Sequence, residues 1–315
     1  MEKRIDDFLS ASHRTRRLTN LSLGWGRQLA IWMNSHDEVQ YSATKGHVFS
    51  LYLNGGGGTS RIDGRGKMGR PGALCIFPEG HSSTWRITEA FQFMHLYVTD
   101  EVLRAAFAKT HDQDARRLDI SERILIAPGG LEGPLRQMAQ ASLDGDVFAA
   151  DVGFSDMVAA LTDQPVLLSG GLSQKTIRDV IEWVDANLET NIRLNDLANL
   201  AGLSDFHFHR MFRQTCGLSP HNWLTQFRIA RAKTLLVNMP TIEVALACGF
   251  SSQSHFIRRF KEQVGVTPGR YLRMVPSAKL ANPDQSVVDF ALTSQQRGGN
   301  RGQLQRPDTR TPRMF

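Results

Sequence analysis

The chain has 315 residues, 41% of them hydrophobic, and a formal net charge of +6, which is length enough to bury a sizeable core and to hold two domains. Its three cysteines, Cys75, Cys216 and Cys248, have no Cys-x-x-Cys spacing; this excludes a disulfide framework and implies a reducing compartment. No apolar run approaches the roughly 18 residues that cross a bilayer, and the first residues lack an apolar leader, so the expectation is a cytoplasmic protein with no membrane partner.

In chain order, residues 1–20 read as a loosely ordered N-terminal arm, with Arg14, Arg16 and Arg17 clustered among few apolar residues. From Leu21 to about Asp100 the pattern is one of short strands: 28–33, 48–53, 73–77, 84–87 and 91–98 are apolar or alternating runs. Four glycines at 55–58, Asp63-Gly64, Arg70-Pro71-Gly72 and Pro78-Glu79-Gly80 are the turns between them. Many short strands at even spacing predict a small barrel or sandwich. A barrel mouth is a common small-molecule site, and Trp32, Arg61, Trp85 and His95 are the candidates to line one, although an aromatic on a strand is more often packing. His47, His81 and His95 form no His-x-His pair in this region, so neither a metal nor another cofactor is expected.

Helical spacing returns from Glu101 to Asp163, in stripes through Val102, Leu103 and Phe107, through Leu135, Met138 and Ala139, and through Phe154, Met157 and Leu161. Residues 165–173, PVLLSGGLS, predict a linker centred on Gly170-Gly171. Ser173 is placed to cap a helix through Ile177, Ile181, Val184 and Leu188.

Between residues 194 and 272 one pattern occurs twice. Leu197, Ala198, Ala201 and Gly202 match Val244, Ala245, Cys248 and Gly249 at an offset of 47. The offset then becomes 48: Phe208 matches Phe256, Arg210 matches Arg258, Phe212 matches Phe260, Arg213 matches Lys261 and Gly217 matches Gly265. The second copy therefore carries one extra residue. Each copy is written as a helix-turn-helix: a short helix with a small residue at the crossing, a Gly turn, a Ser cap (Ser204 or Ser251), and a second helix with aromatic anchors four apart. Arg210 and Arg258 lie two residues from those anchors, on the opposite face, where a polar and basic helix surface suits a DNA major groove. Ser219-Pro220 opens a long helix through Trp223, Phe227 and Leu235 that spaces the two units, so the reading helices are expected about one DNA turn, ~34 Å, apart.

The stretch TIEVALACGFSSQSHFIRRFKEQVGVTPGRYLR, with LNDLANLAGLSDFHFHRMFRQTCGLSPHNWL before it, resembles the DNA-binding domain of the AraC/XylS family of transcriptional regulators. The resemblance implies seven helices over 174–275, with Phe206, His209 and Arg210 of the first reading helix facing bases and Arg213 facing phosphate. In the second, it implies Gln253, Ser254, Ile257 and Arg258 towards bases and Lys261 towards phosphate. The run GRPGALCIFPEGHSSTW resembles the cupin-like sensor barrel of the same family. The resulting expectation is an α+β chain: a cupin-like β-barrel with following helices over 21–164, the linker 165–173, the all-α domain 174–275 with two helix-turn-helix units, and a disordered tail over 276–315. In the family the helices after the barrel carry a dimer contact; here plain cover for the barrel is an equal reading. Double-stranded DNA, a small-molecule effector, a second copy of the chain and, for an activator, RNA polymerase are the expected partners.

Charge follows the same division. Residues 172–275 hold 13 Lys and Arg against 8 Asp and Glu, whereas residues 1–171 hold 18 against 20. Two other classes fit the sequence less well. A cupin-type enzyme with an appended DNA-binding domain lacks a metal-ligand set, a Gly-x-Ser-x-Gly elbow and a phosphate-cradling loop before a helix. An architectural DNA-bending protein calls for apolar wedges, and the reading helices instead offer Gln, Ser, His and Arg.

Overall fold

In a computed structural model, which describes residues 3–63, 68–161 and 170–274, the apolar runs of the N-terminal half become the centre of a sheet covered on both faces. The elements are α1 (Ile5–Ala11), β1 (Thr15–Gly24), β2 (Arg27–Asn34), β3 (Asp37–Tyr41), β4 (His47–Asn54), β5 (Thr59–Arg61), β6 (Leu74–Phe77), β7 (Ser83–Ile87) and β8 (Phe91–Val98). After them come α2 (Asp100–His111), β9 (Arg123–Ile126), α3 (Glu132–Asp144) and α4 (Val147–Ala160). Six strands pair in the order β1-β2-β8-β4-β6-β9, all antiparallel, and β3-β7-β5 form a second antiparallel sheet.

Strand periodicity sorts the side chains into two layers. Leu29 and Ile31, Phe49 and Leu51, Leu74 and Ile76, and Met94 and Leu96 point to one face, where Leu103 and Phe107 of α2, Leu135 and Met138 of α3, and Phe154 and Met157 of α4 cover them. Their neighbours Ala30 and Trp32, Cys75 and Phe77, and Phe93 and Tyr97 point to the other face, against Val39, Tyr41, Trp85 and Ile87 of the small sheet. Burying one such large apolar side chain contributes about 1.5–3 kcal/mol, so the double cover explains why these strands read as continuous apolar runs.

Three expectations need correction. The sheet domain is not a closed barrel: no ladder joins its two sheets among the described residues, and His36, in the left-handed conformation (φ 51), turns the chain out of the large sheet into the small one. Residues 1–20 are not a loose arm over their described part. Ile5 and Leu9, four apart on α1, are each 1% exposed and join the layer between the sheets. Arg17, on β1, pairs with Asp6 at 3.1 Å and lies over the Trp32 ring. The third correction is β9, which pairs with β6 within a stretch whose spacing predicts only helices. Residues 162–169, which take in 165–169 of the expected linker, and residues 275–315, which take in the expected tail, lie outside the described residues.

Seven helices follow among the described residues: α5 (Gln174–Ala186), α6 (Leu194–Leu200), α7 (Asp205–Cys216), α8 (Pro220–Leu235), α9 (Thr241–Ala247), α10 (Gln253–Val264) and α11 (Pro268–Met274). Val180, Val184, Ala198, Phe208, Phe212 and Leu224 build a separate core shared by the first four. Val244, Ala245, Phe256 and Phe260 instead belong to the same continuous apolar cluster as the helix-covered face of the N-terminal sheet.

Candidate nucleic-acid interface

Local sequence chemistry sets each reading helix in place. Ser204 accepts from the His207 N–H and opens α7; Ser219 accepts from Asn222 and, with Pro220 at the first helical position, opens α8. In the second unit the cap is Ser252, which accepts from His255, and not Ser251. Ser204 and Ser252 stand 48 apart, so the extra residue of the second copy is absorbed just before the helix, in the turn. Ser251 Oγ sits 3.1 Å from His255 Nδ1, beside the cap it was expected to supply. Burial first, and then the charges of Arg259, Arg258 and Arg228, hold the His255 imidazole below the ordinary histidine range.

The aromatic anchors behave as the repeat predicts: Phe208, Phe212, Phe256 and Phe260 are fully buried, with ring centroids 5.3 Å apart in the first pair and 5.5 Å in the second. Ala198 and Ala245, also fully buried, lie where the short helix of each unit meets its reading helix. On the opposite face of α7, Phe206, His209, Arg210 and Arg213 are exposed, Phe206 to 75%. On α10, Gln253, Ser254, Arg258 and Lys261 are exposed, whereas Ile257 is half-buried and packed on the adjoining apolar cluster. Two polar, basic helix faces, each opened by a capped N-terminus, are therefore free to meet a groove and its phosphates.

One contact of the spacer helix is not legible in the repeat. Arg228 of α8 donates to the Thr190 carbonyl at 2.9 Å and to that of Leu188 at 3.5 Å, tying the spacer helix to the loop before α6. Nothing in the pattern marks that arginine off from other surface cations.

The four residues considered for an effector pocket are drawn together only in part. Trp32, Trp85 and His95 lie in the layer between the sheets at 1%, 4% and 2% exposure. Trp32 Nε1 donates to the Tyr97 hydroxyl at 3.0 Å, and that hydroxyl also lies 3.0 Å from His95 Nδ1. Burial alone pushes the His95 imidazole down to about 3. Arg61 sits at the layer's edge, held by Asp63 and by Glu122, which also pairs with His81 at 2.8 Å. Among the described residues there is no group of three or more His, Cys, Asp or Glu arranged to hold a metal ion, and no helix long and apolar enough to cross a membrane.

Comparison with known proteins falls on the repeat. Residues 197–274 match a family model described as a helix-turn-helix domain. Over 99 residues the chain is 35% identical to the transposon Tn10 TetD protein of Escherichia coli, a match covering 31% of this chain and 72% of that one. It is 32% identical over 97 residues to the HTH-type transcriptional activator AarP of Providencia stuartii, covering 30% and 72%. In the uncharacterized HTH-type transcriptional regulator YbfP of Bacillus subtilis, 33% identical over 100 residues, the match takes in 31% of this chain and 34% of that protein. With its doubled unit, its two exposed reading faces and these relatives, the chain belongs to the AraC/XylS family of DNA-binding transcriptional regulators.

Proposed function

We propose that the chain is a sequence-specific regulator that reads two successive major-groove segments of one DNA site, and that its N-terminal domain passes a second signal to that reading. The observation that carries the first part is the pair of exposed faces on α7 and α10, each backed by two fully buried aromatics. Phe206, His209 and Arg210 supply a flat ring and hydrogen-bond donors to one segment; Gln253, Ser254 and Arg258 supply the other, with Ile257 at its half-buried margin. Arg210 and Arg258 have the reach and the planar fork for a guanine edge, while Arg213 and Lys261, one turn further on, suit phosphate.

The signal from the N-terminal domain is a small-molecule effector or a second copy of the chain. Supporting it is the continuity of the apolar cluster from the large sheet through α2 and α4 into the second helix-turn-helix unit, since packed cores transmit small displacements. A competition titration tests the DNA reading: full chain on duplexes selected from random-sequence DNA, challenged with unselected DNA at one fixed salt concentration. Selected duplexes held more tightly by about a thousandfold or more, on the order of the specificity ratios of such proteins, support it; equal competition removes it.

A further inference from the structure

The two reading helices end against the N-terminal domain at equivalent positions of the repeat. Gly217 closes α7 and Gly265 closes α10, 48 residues apart. A Cβ on Gly217 would lie 2.8 Å from the Ala105 backbone nitrogen in α2, and one on Gly265 would lie 2.6 Å from the Ser22 carbonyl oxygen in β1. Across the second contact, a Cβ on Gly24 would stand 2.4 Å from the carbonyl carbon and oxygen of Gln263, and the Trp25 N–H donates to the Glu262 carbonyl at 3.0 Å.

Glycine after a helix is ordinary, since it accepts the left-handed turn without cost. Backbone approach this close is not required by that role. Gly145 closes α3 with φ 68 and a Cβ there would meet nothing within 4 Å. The glycines of the reading helices thus serve contact as well as turning. The two docking elements belong to one body: Leu103 and Phe107 of α2 and Leu23 of β1 are members of the same buried cluster. A polar tie lies beside the second contact, where Asp151 of α4 takes Arg27 of β2 at 2.7 Å and Lys233 of α8 at 3.6 Å. The first contact has its own tie, through Gly170 to Leu172. The Gly170 carbonyl accepts from Arg116 at 2.9 Å, and the Leu172 N–H donates to Thr215 of α7 at 2.8 Å.

We propose that the N-terminal domain is a positioning clamp: it holds both reading helices by their C-terminal ends and so sets, together with α8, the spacing and relative rotation of the two DNA segments the chain accepts. The exposed base-facing residues sit towards the N-terminal ends of the same helices, so the clamp leaves the reading faces open. Gly24, Gly217 and Gly265 are positioning residues for recognition and touch no DNA. Anything that shifts β1 relative to α2 retunes which operators fit.

This inference rests on the DNA-reading proposal, and the test separates the two. Full chain is used to select duplexes from random-sequence DNA, and the selected duplex is remade with one base pair inserted or removed between its two protected segments, which turns one segment about 35° relative to the other. The parent chain is expected to lose about tenfold in affinity for each altered spacing, a penalty the size of a mismatched base pair. Gly24→Ala, which forces β1 away from α10, is expected to shrink that loss to about threefold or less. Gly80→Ala carries the same left-handed strain (φ 82) with nothing within 4 Å and is expected to keep the parent's spacing profile. Asp151→Asn, a milder loosening of the same seam, is expected to move in the direction of Gly24→Ala and covers the case in which that variant does not fold. Folded variants at Gly24 and Asp151 that both keep the parent profile overturn the clamp. A full chain that selects no duplex, or protects a single segment, overturns the DNA reading itself.

Discussion

Gly202 and Gly249 occupy the same turn in the two helix-turn-helix units, with φ of 65 and 69, yet their surroundings differ sharply. A Cβ on Gly202 would meet nothing within 4 Å, while one on Gly249 would lie 2.3 Å from the Leu188 carbonyl oxygen and 2.7 Å from Arg228 Nη2. Gly202→Ala therefore costs only the left-handed conformation of a side chain, about 1–2 kcal/mol. Gly249→Ala adds overpacking of about 1–3 kcal/mol, and it displaces Arg228 from the Leu188 and Thr190 carbonyls. The expected totals are about 1–2 kcal/mol at Gly202 and about 2–5 kcal/mol at Gly249, and Gly249→Val is more severe again because a β-branched residue is a poorer fit at positive φ. Amide hydrogen exchange in the full chain, followed on α6 and α7 for one variant and on α9 and α10 for the other, reads each unit's own opening free energy. Equal losses in the two units would refute the claim that Gly249 is pinned between the spacer helix and the loop before α6.

Arg210→Ala and Arg258→Ala each weaken binding to a selected duplex by about 1–3 kcal/mol while leaving thermal stability and affinity for unselected DNA nearly unchanged; equal losses on both DNAs reassign them to phosphate. His95, held neutral by burial with its imidazole near 3, takes up no proton in the folded chain where the unfolded chain does, so stability falls as pH drops from about 6.5 towards 3, by up to about 1.4 kcal/mol per unit. His95→Gln flattens that slope in pH-dependent urea titrations, and an unchanged slope places the titrating group elsewhere. A fragment of residues 172–274 folds but binds the selected duplex more weakly than the full chain. Its α9–α11 exchange amides faster than in the full chain, because Val264 and Val266 lose cover from the N-terminal cluster, and equal protection in fragment and full chain contradicts that cover.

The C-terminal half was legible because its periodicity is strong and is stated twice: Phe208 with Phe212 and Phe256 with Phe260 both point inward, and Ser204 caps as expected. The misplaced cap, Ser251 for Ser252, arises where the repeat offset itself changes, and two adjacent serines give no local reason to choose. In the N-terminal half, strands such as β4 and β8 were evident from composition, but pairing was not: a barrel and two facing sheets use the same alternation and differ only in which edges meet. Helix α1 is hard to see in the sequence because Ile5, Phe8 and Leu9 are an apolar stripe of barely two turns in a charged segment, and their value lies in a gap between sheets that local spacing does not reveal. The docking of α10 on β1 is equally hidden, since neither Gly24 nor Gly265 carries any local mark of what packs against it.

The most direct test of two-headed reading is base-resolution footprinting of the full chain on duplexes it selects from random-sequence DNA, with methylation interference to mark major-groove guanines. The expected pattern is interference in two major-groove segments on one face of the duplex, centred about 10 base pairs apart, with Arg210→Ala erasing interference in one segment and Arg258→Ala in the other. A single protected segment, or two whose interference responds to neither arginine, contradicts the assignment of the two reading helices.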